Sequence, residues 1–127
     1  MRRNNMPAYN FKSIFAHAVE HGEKYTTIRQ VRKNPTEPGD ILYLYTGLRT
    51  KYARLLRTEK CVSVTPVIID PVEGFFVNGR LLNMEEKYKL AEIDTAGLWT
   101  YTEFCNFFKS TYGLPFRGEL ITWEPFV

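Results

Sequence analysis

An α+β domain whose sheet curls into a small barrel with helices at one side is the fold the sequence predicts. Three observations predict it. Apolar residues recur at helical spacing in three separate stretches. Short Val-, Ile- and Tyr-rich runs between them are bounded by Pro, Gly and Asn turn signals. The resulting order is α-β-β-β-hairpin-α-α-β. A chain of 127 residues, 44% hydrophobic and 15% aromatic, can bury a real core as one domain. That domain is placed at residues 11–127, behind an extended N-terminal arm at 1–10.

Phe11, Ile14, Phe15, Ala18 and Val19 mark an amphipathic helix that ends at Gly22. Thr26–Val31 reads as a short strand. Asn34-Pro35 and Pro38-Gly39-Asp40 are loop and turn signals. Ile41–Tyr45 is an apolar strand, and Lys51–Thr58 reads either as a helical turn or as a basic loop. Cys61–Ile69 is a strand in which Pro66 signals an edge or a bulge. Asn78-Gly79 between apolar pairs is a hairpin signal. Met84–Ile93 and Thr100–Tyr112 follow as helices. Thr100 and Glu103 match a capping box on the second, with Phe104, Phe107, Phe108 and Tyr112 as its buried stripe. Gly118–Trp123 is the last strand, and Phe75 and Phe76 are read as core.

The net charge of +3 is unevenly distributed. Residues 1–60 hold 12 Lys and Arg against 5 Asp and Glu, a net of +7, and the remainder carries −4. The asymmetry suggests a basic face built by the N-terminal half. Cys61 and Cys105 lie far apart in apolar patterns and read as reduced core thiols of a cytoplasmic protein. His17 and His21 sit four apart but lack acidic or thiol partners at ligand spacing, so neither a metal nor an organic cofactor is expected. No apolar run is long enough for a bilayer, so no membrane partner is expected. The basic start, MRRNNMPAYNFK, is not expected to be a secretion signal.

The most informative run is residues 22–50. Lys24, Thr27 and Arg29 surround the start of one strand. A neighbouring strand ends in Tyr45-Thr46-Gly47-Leu48-Arg49-Thr50. Two adjacent strands that end in cationic and hydroxyl side chains make a small polar pocket on a rigid sheet. At this GxKxxTxR pattern (Gly22, Lys24, Thr27, Arg29), with the Pro38-Gly39-Asp40 turn and the closing helix–Gly–strand of residues 102–125, the chain resembles the ASCH domain family. That family is related in fold to PUA domains. The resemblance covers about residues 11–124.

The resemblance implies a PUA-like mixed β-barrel flanked by helices, with a cleft beside the motif that binds RNA or a modified nucleoside. It also implies a possible chemistry, amide hydrolysis of an N4-acetylcytidine-type nucleoside. Lys24 and Thr27 match the base and nucleophile positions. The acid falls at Asp94 after a gap of a few residues, with Glu92 as substitute. A threonine nucleophile needs a base within hydrogen-bond reach, and lysine serves only when burial or a nearby cation keeps it neutral. Arg29, Tyr45, Arg49, Thr50 and Lys51 are the expected ligand-binding residues. Arg54, Arg57, Tyr43 and Tyr52 extend a basic and aromatic surface suited to single-stranded RNA. Trp99 either covers the cleft or joins the core. A ribonuclease using Lys24, Tyr45 and Lys51 is a further alternative. The opposing, purely structural account makes Lys24 a surface cation after a helix and Thr27 an ordinary strand residue.

Overall fold

The computed structural model describes residues 5–124. Over these it has three helices and a seven-stranded mixed sheet, the expected α+β class. Along the chain these are β1 (Ala8–Phe11), α1 (Ser13–Glu20), β2 (Thr26–Arg29), β3 (Ile41–Thr46), β4 (Arg54–Ile69), β5 (Phe76–Val77), β6 (Arg80–Leu81), α2 (Met84–Thr95), α3 (Tyr101–Tyr112) and β7 (Phe116–Trp123).

Part of the expected arm is a strand. β1 pairs in parallel with β3, Ala8 against Tyr43 and Phe11 against Thr46, so Phe11 belongs to the sheet and not to α1. Residues 1–4 of the arm lie outside the described residues. The ambiguous stretch before Thr58 is also sheet from Arg54 onward. β4 is a single 16-residue strand whose first half pairs with β3 and whose second half pairs with β7. The sequence hides its first half because burial there does not alternate cleanly: Leu56 is buried, Leu55, Thr58 and Lys60 are exposed, and Arg57 and Glu59 are half-buried. The irregularity anticipated at Pro66 falls instead between Cys61 and Ser63. The hairpin sits where Asn78-Gly79 placed it, with φ of 53° and 78°, the positive values a two-residue I′ turn requires.

Two hydrophobic clusters hold these elements. The first packs α1 residues Phe15 and Val19 against Tyr9, Leu42, Leu44 and Trp123 of the sheet. The second packs Phe104 and Phe108 of α3 against Ile28, Ile69, Phe75 and Phe116. Ile14, expected on the buried stripe of α1, faces solvent. The Thr100–Glu103 capping box forms as read, and Asn83 with Glu86 makes a second one on α2.

The sheet path β1-β3-β4-β7-β2 leaves β1 and β2 as neighbouring edges with no ladder between them among the described residues. What joins them is a side chain: Arg29 Nη2 donates to the Asn10 carbonyl at 2.6 Å. Close approach also positions the end of β2. A Cβ on Gly118 of β7 would collide with the Arg29 carbonyl and come within 2.6 Å of the Phe116 ring.

Candidate functional site

The connection from α1 to β2 folds back tightly, because both Glu23 N–H and Lys24 N–H donate to the Ala18 carbonyl. This turn carries Lys24 inward, so that it is only 4% exposed. Its Nζ donates to the Thr26 carbonyl at 2.7 Å, to the main-chain carbonyl of Asp94, and to Asp94 Oδ1 at 3.3 Å. The Phe11 and Phe15 rings lie 5.5 Å and 5.4 Å from the same nitrogen, within cation–π range. Burial lowers the Lys24 pKa from its ordinary value and the nearby Arg29 charge adds to this, while Asp94 opposes both. The account of Lys24 as a surface cation is therefore wrong.

Asp94 arrives on the last turn of α2, 70 residues away in sequence. Its Oδ1 accepts from Lys24 and from Thr26 Oγ1, the latter at 2.7 Å. Its Oδ2 has no hydrogen-bond partner among the described residues. On β2, Thr27 and Arg29 share one face, opposite Ile121 and Glu119 of β7. Arg29 Nε donates to Thr27 Oγ1 at 2.8 Å, which leaves the Thr27 hydroxyl proton free to be given elsewhere. The Arg29 guanidinium lies 5.0 Å from the Phe11 ring centroid and 5.3 Å from that of Tyr9. Burial lowers its pKa, but a guanidinium stays charged.

These four side chains meet at a cavity of about 250 Å³. Phe11, Phe15, Trp99, Phe104, Phe107 and Tyr112 supply aromatic wall. Trp99 lines the cavity and, half-buried, packs edge-on against Phe15 at 4.8 Å. The floor offers donors from Thr27 and Arg29 and one open acceptor at Asp94, while the three Lys24 donors are already taken. That is the makeup of a site for a flat ligand with a polar edge.

The remaining expected ligand-binding residues do not line this cavity. Tyr45 lies on β3, opposite Asn10 and half-buried. Arg49, Thr50 and Lys51 sit on the exposed β3–β4 loop. There the Thr50 hydroxyl donates to the Gly47 carbonyl at 2.6 Å and accepts from Tyr52 N–H, which spends it on the loop itself. Arg54 pairs with Glu20, and Arg57 with Glu59 at 2.7 Å. Glu92 opens onto a separate depression with Glu23 and Tyr25, and Glu103 is the cap of α3. Sequence reasoning did not single out Thr26, Asn10 or, Trp99 apart, the aromatic walls. The walls gave a signal, the 104–112 stripe, but an apolar helix face looks the same whether it meets a core or a cavity.

Glu119 stands opposite Arg29 in the β2–β7 register, yet Arg29 turns away to Thr27 and Asn10. Glu119 is 7% exposed, and its Oε1 has no hydrogen-bond partner among the described residues. Burial raises its pKa, with Arg32 opposing. The folded chain therefore holds this proton more tightly than the unfolded chain. The associated stability is full below the ordinary carboxylate range and is lost as pH rises through the raised value. Glu119→Gln is expected to flatten that fall and to gain on the order of 1 kcal/mol at pH 8. Chemical denaturation from pH 4 to pH 8 checks this; equal slopes for parent and variant would refute it.

Among the described residues there is no group of three or more potential metal ligands and no helix long and apolar enough to cross a membrane. Comparison with protein-family models, with curated proteins and with solved structures finds no match to the chain.

Proposed function

We propose that this chain is an ASCH-type protein that binds a modified nucleoside in the cavity between β1, β2, α2 and α3. The observation that carries the reading is the convergence of Lys24, Thr27, Arg29 and Asp94 on one floor beneath aromatic walls. Stacking of a base on aromatic side chains contributes about 1–3 kcal/mol. The floor then reads the base edge: the cationic and hydroxyl donors meet ring acceptors, and Asp94 Oδ2 meets an exocyclic N–H. The PUA-like barrel that accompanies this reading is supported by the β1-β3-β4-β7-β2 path, whose free edges Arg29 bridges.

Amide hydrolysis on the bound base is the second reading, and the buried position of Lys24 favours it. Lys24 Nζ stands 3.3 Å from Asp94 Oδ1, so a proton passed along that contact leaves a neutral amine and a neutral acid. The amine then takes the Thr27 hydroxyl proton as Oγ1 attacks the acyl carbon. The acid protonates the departing amine, and water hydrolyses the threonine ester. As the residues stand, Lys24 donates to Thr26 and Asp94 and makes no bond to Thr27, so its side chain must turn toward Oγ1 for this step. The ribonuclease reading needs Tyr45 and Lys51 beside Lys24; neither lines the cavity, and no observation favours it.

Purified protein mixed with N4-acetylcytidine provides the test, with fluorescence reporting binding and chromatography reporting released cytidine. Saturable binding is expected, together with cytidine release that falls by about a thousandfold or more in Thr27→Val. Binding without release in the parent discards hydrolysis and keeps the binding site. Absence of binding by folded protein sinks both readings.

A further inference from the structure

A second, shallower cleft of about 370 Å³ opens beside the cavity. Asn10, Phe11 and Lys12 line both, so the two meet along the end of β1. The second cleft adds Ser13, Thr46 and Tyr52. Asn10 also ties them together. Its carbonyl accepts from Arg29 on the cavity floor, and its Oδ1 accepts from Leu48 N–H at 2.8 Å, which fixes the loop that carries Arg49, Thr50 and Lys51.

The charges around the two clefts are predominantly positive. Lys12, Lys24 and Arg29 are the cations that line them. Asp94 is the only carboxylate doing so among the described residues, and it is already engaged by Lys24 and Thr26. Tyr52 holds its ring 73% exposed at the outer end, with Lys51 Nζ 5.2 Å from the ring centroid. Neither Lys12 nor Lys51 has a carboxylate partner among the described residues. Lys12 Nζ lies 5.6 Å from the Phe107 ring centroid, at the border of the two clefts, so a neutral nucleoside in the first cavity gives it no anion to meet and leaves Lys51 and Tyr52 unused. An anion one sugar away from the base uses them all.

We infer that the ligand is a phosphorylated nucleoside, its base in the cavity and its phosphate in the second cleft, held by Lys12, which lines that cleft, and reached by Lys51 from beside the Tyr52 ring at its outer end. This rests on the reading of the cavity as a nucleoside site. A terminal phosphate and the phosphodiester of an RNA strand present the same chemistry here, and the experiment separates them. N4-acetylcytidine, its 5′- and 3′-monophosphates, and a trinucleotide RNA with the same nucleoside at its centre are titrated at low salt, with tryptophan fluorescence read within seconds of mixing.

At least one phosphorylated probe is expected to bind about tenfold more tightly than the nucleoside, with the advantage shrinking as salt rises. In a Lys12→Ala/Lys51→Ala double variant the ratio of the two affinities is expected to approach one. Both lysines are on the surface, so the variant keeps its fold, and a melting curve verifies this. A gain with a monophosphate assigns a terminal phosphate, and a gain confined to the trinucleotide assigns the phosphodiester. Equal affinities across all probes overturn the inference and leave the nucleoside site standing, as does an advantage that survives in the double variant. If no probe binds, the nucleoside reading itself fails and this inference goes with it.

Discussion

Asp94→Ala is expected to destabilise the fold by about 3–5 kcal/mol, the usual cost of removing one partner from a buried ion pair. Lys24 is 4% exposed and has no other carboxylate partner among the described residues, so the substitution strands an ammonium group between two phenyl rings and a pair of carbonyls. Thr26 loses the acceptor for its hydroxyl as well. Replacing both charges, as in Lys24→Met/Asp94→Leu, removes the stranded charge. It is expected to recover most of the loss while abolishing ligand binding. Urea unfolding of the parent, Lys24→Met, Asp94→Leu and the double variant closes the cycle, with Asp94→Ala beside them. If the single and double variants are equally unstable, the pair is not what makes Asp94 important. The contrast also isolates function from folding: a chain that regains stability without regaining binding shows that the pair is kept for the ligand.

Gly118→Ala is expected to cost about 1–3 kcal/mol by overpacking and to weaken ligand binding by more than its stability loss alone explains. The added methyl meets the main-chain carbonyl of Arg29 and the Phe116 ring, and a backbone atom cannot swing aside as a side-chain tip can. The end of β2 must shift, and with it the guanidinium that sets Thr27 and reaches Asn10. Binding measured well below the melting temperature, beside a thermal melt, tests this. A variant that binds normally despite a lower melting temperature would mean that Arg29 keeps its place by other contacts.

The positions in the site that were legible in the sequence are those that break an ordinary pattern. Lys24, Thr27 and Arg29 stand out because a strand start needs none of them, and the structure brings all three to one cavity with Asp94. Positions whose pattern is ordinary were not legible. Phe107 and Tyr112 fall on a helical apolar stripe that reads as packing, and Thr26 is a strand threonine beside a more conspicuous one. Lys51, Arg49 and Tyr45 looked equivalent to Arg29 in sequence. Only the pairing of β1 beside β3, invisible in a ten-residue arm, places them beyond the cavity wall. The same parallel strand explains why residues 8–10 read as extended but unattached and Phe11 as helical: its partner is more than 30 residues away and local spacing carries no trace of it.

The missing ladder between β1 and β2 has a consequence for how this chain can change over time. Where strands pair, their separation is fixed at about 4.8 Å by the backbone and cannot be altered one residue at a time. Here the span is a guanidinium reaching from Thr27 to Asn10, so the aperture is a side-chain dimension. A lysine in its place would lose the fork that grips two acceptors at once. A single substitution can thus resize or loosen the mouth of the cavity while every rung of the sheet stays paired, which gives the fold a cheap route to ligands of different girth.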